Sequence, residues 1–201
     1  MPKFFNSDMA DLAHQLELSP RRLRTEQIRG IETLLRLIDP EKAYPYDFIC
    51  YHITKYAKRG KPAEVSVPGK ALINDLITTA EMLSRKAALT VAEIGEACST
   101  HAELASELGV STKTVRRWRS RGLMGLRLVY EDGVNRLAFC RSTIDRFVAA
   151  NRALVERGAS FKQLSGDERR RIVERARHLV SERPIRLHAA AKVVAEETGR
   201  A

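Results

Sequence analysis

The sequence predicts a mainly α fold: a helical N-terminal domain, a winged helix-turn-helix with a small β-hairpin, then C-terminal helices. Three observations carry this reading. Apolar residues recur at helical spacing through most of the chain. A small residue, a glycine and a capping serine fall at helix-turn-helix spacing within residues 101–123. Two short runs of partly alternating polarity then flank an Asp-Gly turn signal. The expected division is 1–89, 90–151 and 152–201.

In the first segment Leu12, Leu16, Leu23, Ile28, Ile31, Leu34, Leu35 and Ile38 keep the helical period until Asp39-Pro40 breaks it. Five of the twelve Phe, Tyr and Trp residues fall between Tyr44 and Tyr56, with Phe48, Ile49, Tyr51 and Tyr56 largely on one helical face. An aromatic-rich core is the favoured reading and a base-stacking platform the other. Lys58-Arg59-Gly60-Lys61-Pro62 reads as a basic loop, and a further helix spans about 70–86.

The second segment carries the chemistry. Residues 90–97 read as a short helix, and Thr90 and Thr100 are candidate helix caps. Two helices crossing through a tight turn need a small residue at their contact, which Ala105 supplies. Four residues on, Gly109 permits the positive φ of the turn. Leu104, Leu108, Val110, Val115 and Trp118 supply the packing, with Trp118 favoured as a core plug over a base contact. Ser111 or Thr112 caps the second helix and leaves backbone N–H groups facing a site for phosphate. Its outer face shows Thr112, Lys113, Arg116, Arg117 and Ser120, followed by Arg121, and no acidic residue occurs from Val110 through Arg127. That face is expected in the major groove, with Arg116 and Arg117 reading base edges.

Residues 126–130 and 136–140 are the expected strands of the wing. Arg127, Arg136 and Arg141 are either flanking phosphate contacts or a solvated edge. Ser142-x-x-Asp145 resembles a capping box opening a helix with Ile144, Phe147 and Val148. The order of helix-turn-helix, hairpin and capped helix resembles excisionase-like and MerR-like DNA-binding modules.

In the third segment Ser165-x-x-Glu168 reads as a second capping box before the basic run Arg169-Arg170-Arg171. Ile172, Val173, Ala176, Leu179 and Val180 keep the helical period until Pro184, and a helix from Leu187 follows. Ala195 and Gly199 repeat the spacing of Ala105 and Gly109, which suits either a second helix-turn-helix or a glycine helix cap.

Residues 44–54, 109–123, 141–151 and 156–164 resemble the long N-terminal region of a group of bacterial RNA polymerase sigma factors. The resemblance implies a role in transcription and contact with RNA polymerase. The downstream sigma regions are missing, so the expectation is either a fragment cut inside a second helix-turn-helix or a short relative that kept the DNA-reading part.

A net charge of +10 implies a polyanionic partner. It is distributed as +3 over residues 1–89, +2 over 90–151 and +5 over 152–201. No apolar stretch approaches the roughly 18 residues of a membrane span, and no signal peptide is legible. Cys50, Cys98 and Cys140 fit reduced thiols in a cytoplasmic protein. The pairs Cys50/His52 and Cys98/His101 lack further ligands, so neither a metal nor a cofactor is expected. No phosphate loop or nucleophile elbow points to an enzyme. The expected function is sequence-selective binding of double-stranded DNA in transcription, through Ser111, Thr112, Lys113, Arg116, Arg117, Ser120, Arg121, Arg127 and Arg136. The alternative is a protein-interaction adaptor that binds RNA polymerase or another regulator.

Overall fold

The computed structural model describes residues 3–56, 65–160, 166–182 and 186–198. Among them, residues up to 159 form one compact unit and the residues beyond form a second.

The first unit begins with α1 (Ser7–Glu17) and α2 (Arg21–Leu35), separated at Ser19-Pro20. Asn6 caps α1 by accepting from the Met9 N–H. A two-stranded sheet, β1 (Ala43–Pro45) paired with β2 (Ser66–Pro68), brackets α3 (Tyr46–Thr54). The long α4 (Gly69–Ala87) packs against α1 and α2. Where α2 passes α3, Gly30 lets the backbones touch: a Cβ there would lie 2.7 Å from the His52 carbonyl oxygen.

A short α5 (Val91–Ile94), β3 (Cys98–Thr100), α6 (His101–Glu107) and α7 (Thr112–Arg119) follow, then β4 (Leu126–Val129), β5 (Asn135–Cys140), α8 (Arg141–Ala150) and α9 (Arg152–Ser160). Thr90 and Thr100 both form capping boxes, with Glu93 and Glu103 respectively. The expected hairpin is present, β4 pairing with β5 from Leu126↔Ala138 to Val129↔Asn135. β3 joins its other edge, giving a three-stranded antiparallel sheet in the order β3-β5-β4.

Both faces of this sheet are covered. Leu137 and Phe139 face a cluster with Leu104, Ala105, Val115, Trp118, Ile144 and Phe147. Ala138, Cys140, Leu126 and Leu128 belong to the core that also holds Met9, Ile31, Leu34, Ile49, Leu72, Leu76 and Leu83. Successive strand residues point to opposite faces, so one strand serves two cores. The hairpin is also tied to α4 and the residues just after it, since the Ser84 hydroxyl accepts from the Arg127 N–H at 2.9 Å and the Leu89 carbonyl from the Val129 N–H at 2.7 Å. A division at 89/90 is therefore bridged by a shared core.

Other expectations differ in detail. Tyr44, Tyr46 and Phe48 do pack against the core, but Ile49 and Ile53 form the buried face of α3, and Tyr51 and Tyr56 are exposed at 48% and 71%. Leu23 is exposed as well. Ser142 is not a helix cap: Cys140 holds that position, and Glu96 reaches across to accept from the Ser142 N–H at 2.7 Å and its hydroxyl at 2.9 Å.

The second unit pairs α10 (Gly166–Glu182) with α11 (Leu187–Glu197) over Ile172, Ala176, Leu179, Ala190 and Val194. Arg175 pairs with Glu197 at 2.9 Å across them. Lys58–Pro62, Ser165 and Gly199 lie outside the described residues, so the basic loop, the second capping box and the repeated glycine spacing fall there.

Candidate nucleic-acid interface

The helix-turn-helix is built by local chemistry. Helix α6 ends at Leu108, whose N–H donates to the Leu104 carbonyl at 3.0 Å. Gly109 follows at φ +63°, and its open surroundings make the backbone angle, rather than space, the reason for glycine. The Val110 N–H then donates to the Ala105 carbonyl at 2.9 Å, closing the turn. Ser111 caps α7, its hydroxyl accepting from the Thr114 N–H at 3.1 Å.

Val115 and Trp118 anchor α7, both buried, with Trp118 tilted against Phe147 at 5.6 Å between ring centres. Trp118 is a core plug. With that face fixed, Ser111, Thr112, Lys113, Arg116, Arg117, Ser120 and Arg121 are all exposed. Among the described residues none of the four cations Lys113, Arg116, Arg117 and Arg121 has an acidic partner within ion-pair distance. The Ser120 hydroxyl donates to the Arg117 carbonyl at 2.7 Å, finishing the helix.

The remaining arginines are engaged within the protein. Arg119 turns inward to pair closely with Glu81 of α4, and Arg127 lies 4.0 Å from the same carboxylate. Burial, with the like charge of Arg127 beside it, pulls the Arg119 guanidinium below its ordinary pKa. Arg136 holds Asp132 through two hydrogen bonds of 2.8 and 2.5 Å and lies over the Tyr130 ring. That pairing, with the Val134 N–H, draws the Asp132 carboxyl down to about 2. Arg141 bridges Glu107 and Asp145, each at 2.5 Å. The hairpin tip itself carries Glu131 and Asp132. The cations of α7 and Arg121 just beyond it are thus flanked by charge-compensated arginines.

The sequence gives the outward face of α7 without Arg119. Its place four residues after Val115 puts it on the packed side. Glu81 was not foreseen, because a contact across 38 residues leaves no local pattern. His101 was also missed as part of this site. It begins α6, stands edge-on to Phe139 at 4.9 Å, and its Nε2 is buried without a hydrogen-bond partner. Burial first, then the charges of Arg116 and Arg127, lower its pKa.

A separate cavity of about 840 Å³ lies between α2 and the sheet, with Ile28, Leu89, Met124 and Leu126 in its floor and the Arg21–Glu93 pair at its rim. Among the described residues no helix is long and apolar enough to cross a membrane.

No curated protein and no solved structure matches the chain. The family model described as MerR HTH family regulatory protein matches residues 99–166, a third of the chain. That stretch starts in β3 and takes in α6, α7, the hairpin, α8 and α9. Over residues 99–166 the chain is therefore similar to the helix-turn-helix of MerR-family regulatory proteins, which supports a helix-turn-helix DNA-binding module there.

Proposed function

We propose that this chain reads double-stranded DNA by sequence in transcription initiation or its regulation, with α7 lying in the major groove. The observation that carries this reading is the exposed row Lys113, Arg116 and Arg117 of α7, with Arg121 just past its end, without acidic partners among the described residues, on a helix whose opposite face is anchored by Val115 and Trp118. Arg116 and Arg117 are assigned to base edges, since a guanidinium matches guanine O6 and N7 in bidentate geometry. Thr112, Lys113, Ser120 and Arg121 position the phosphates, as does the capped start of α7 at Ser111. The hairpin serves as a wing, with Arg127 and Arg136 at flanking phosphates. Each would first give up an acidic neighbour, so both contribute less than the α7 cations.

Site selection from random duplexes, followed by titration, tests the assignment. Arg117→Ala is expected to cost about 1–3 kcal/mol on the selected site and to relax preference at one base position. Equal weakening on every sequence would make Arg117 a phosphate contact instead. Arg136→Ala is expected to weaken binding several-fold less than Arg117→Ala.

The resemblance of residues 109–123 and 141–151 to sigma-factor N-terminal regions supports a role beside RNA polymerase. A second reading, an adaptor binding polymerase or another regulator, is favoured by the exposed aromatics Tyr51 and Tyr56 and by the acidic hairpin tip. Failure to bind any duplex at low salt would favour the adaptor.

A further inference from the structure

Two of the three cysteines meet in the sheet that supports the helix-turn-helix. Cys98 of β3 and Cys140 of β5 are direct cross-strand partners, both free thiols, with sulfurs 3.7 Å apart in a shared hydrogen bond. The Arg141 N–H donates to the Ala97 carbonyl at 2.9 Å. The flanking residues therefore carry the ladder hydrogen bonds, and Cys98–Cys140 is a non-hydrogen-bonded pair. In such pairs the Cα atoms are about 4.5 Å apart and the side chains closest, inside the range of about 4.4–6.8 Å that a disulfide spans. The two sulfurs differ in access, Cys98 being half-buried and Cys140 buried.

We propose that Cys98 and Cys140 form a redox-active dithiol that a small hydroperoxide oxidises to a cross-strand disulfide. The half-buried Cys98 meets the oxidant and Cys140 resolves the product. Their shared hydrogen bond holds the Cys98 thiol below its ordinary pKa and pushes Cys140 up, which favours the thiolate on the accessible sulfur. With hydrogen peroxide, the Cys98 thiolate attacks one oxygen; the S–O bond forms, the O–O bond breaks, and the departing hydroxide takes up a proton to leave as water. Cys140 then attacks the Cys98 sulfenic acid. The S–S bond forms, the S–O bond breaks, and the Cys140 proton leaves with the hydroxyl as a second water. The two sulfurs lose two electrons and the peroxide oxygens gain them. A dithiol reductant reverses the change by exchange. The loop so closed contains α6, α7, β4 and β5, both helices of the DNA-reading unit and both strands of its hairpin. None of this depends on the DNA assignment.

The test uses the full chain, native, with stoichiometric hydrogen peroxide, followed by thiol titration, peptide mapping and thermal melting. Titratable thiols are expected to fall from the three of the sequence to the single Cys50, with a linked Cys98–Cys140 peptide lighter by two hydrogens. The Tm is expected to rise by about 5–10 °C and to return on reduction. Cys50→Ser should form the same link and Cys98→Ser should not. Cys98 is half-buried, so its serine variant keeps the test decisive if Cys140 variants fail to fold. A Cys98 sulfinic acid beside a free Cys140, a link to Cys50 or to a second chain, or three thiols no more reactive than a free cysteine would each overturn the proposal.

Discussion

Arg119 and Glu81 tie α7 to α4 at the level of single residues. The pair is partly buried, with the side chains 28% and 18% exposed, so neither partner is well compensated by water when the other is removed. Glu81→Gln is expected to destabilise the chain by about 1–2 kcal/mol, and a lower urea midpoint at unchanged slope would register it. It should also weaken DNA binding without altering which base sequence is preferred, because Arg119 faces inward. His101 gives a pH prediction. Its folded-state pKa is lowered, so the unfolded chain binds more protons as acid is added. Stability is therefore retained above the ordinary histidine pKa near 6.5 and declines as the pH falls from there toward the folded value. Melting between pH 7.5 and 5.5 should show a falling Tm that His101→Gln flattens, and an equal slope in that variant would refute the assignment.

The elements show which signals a local pattern can carry. The helix-turn-helix was legible because its requirements lie within twenty residues: Ala105 at the contact, Gly109 at positive φ, Ser111 at the cap, Val115 and Trp118 as anchors. The hairpin was legible from its turn. Strand β3 was not, since Cys-Ser-Thr has no apolar alternation and owes its conformation to pairing with β5. The start of α8 misled for a similar reason, its capping group being Glu96 from a distant segment. Two glycines separate the local from the tertiary kind of constraint. Gly109→Ala places a side chain in open space and costs only backbone strain, about 1 kcal/mol. Gly30→Ala drives a methyl into the α3 backbone and is expected to cost about 2–3 kcal/mol. Chemical denaturation of both variants orders them, and a smaller cost at Gly30 would contradict the close crossing of α2 and α3.

For the molecule as a whole, the sheet is the element that composition and periodicity misplaced. Residues 136–140 read as a wing strand, and in β5 Ala138 and Cys140 also complete the N-terminal core while Leu137 and Phe139 complete the helix-turn-helix core. The local pattern gave the strand but not the second core it serves, because burial on both faces depends on distant packing partners. Charge was legible in sign but not in placement. Residues 90–151 have the smallest net charge of the three segments, and still present an uncompensated row on α7, because Arg119, Arg136 and Arg141 use up acidic groups elsewhere in the segment or on α4. If about three of the α7 cations neutralise phosphates, log affinity should fall with log salt at a slope of about −3 per bound chain. The most direct measurement is the Kd of the full chain for a selected duplex against a scrambled duplex of equal length, at one salt concentration, for the parent and for Arg116→Ala/Arg117→Ala. The parent is expected to prefer the selected duplex by about a thousandfold or more, and this preference to collapse in the double variant while weak binding persists. Equal affinity for the two duplexes in the parent, or an unchanged preference in the variant, would contradict it.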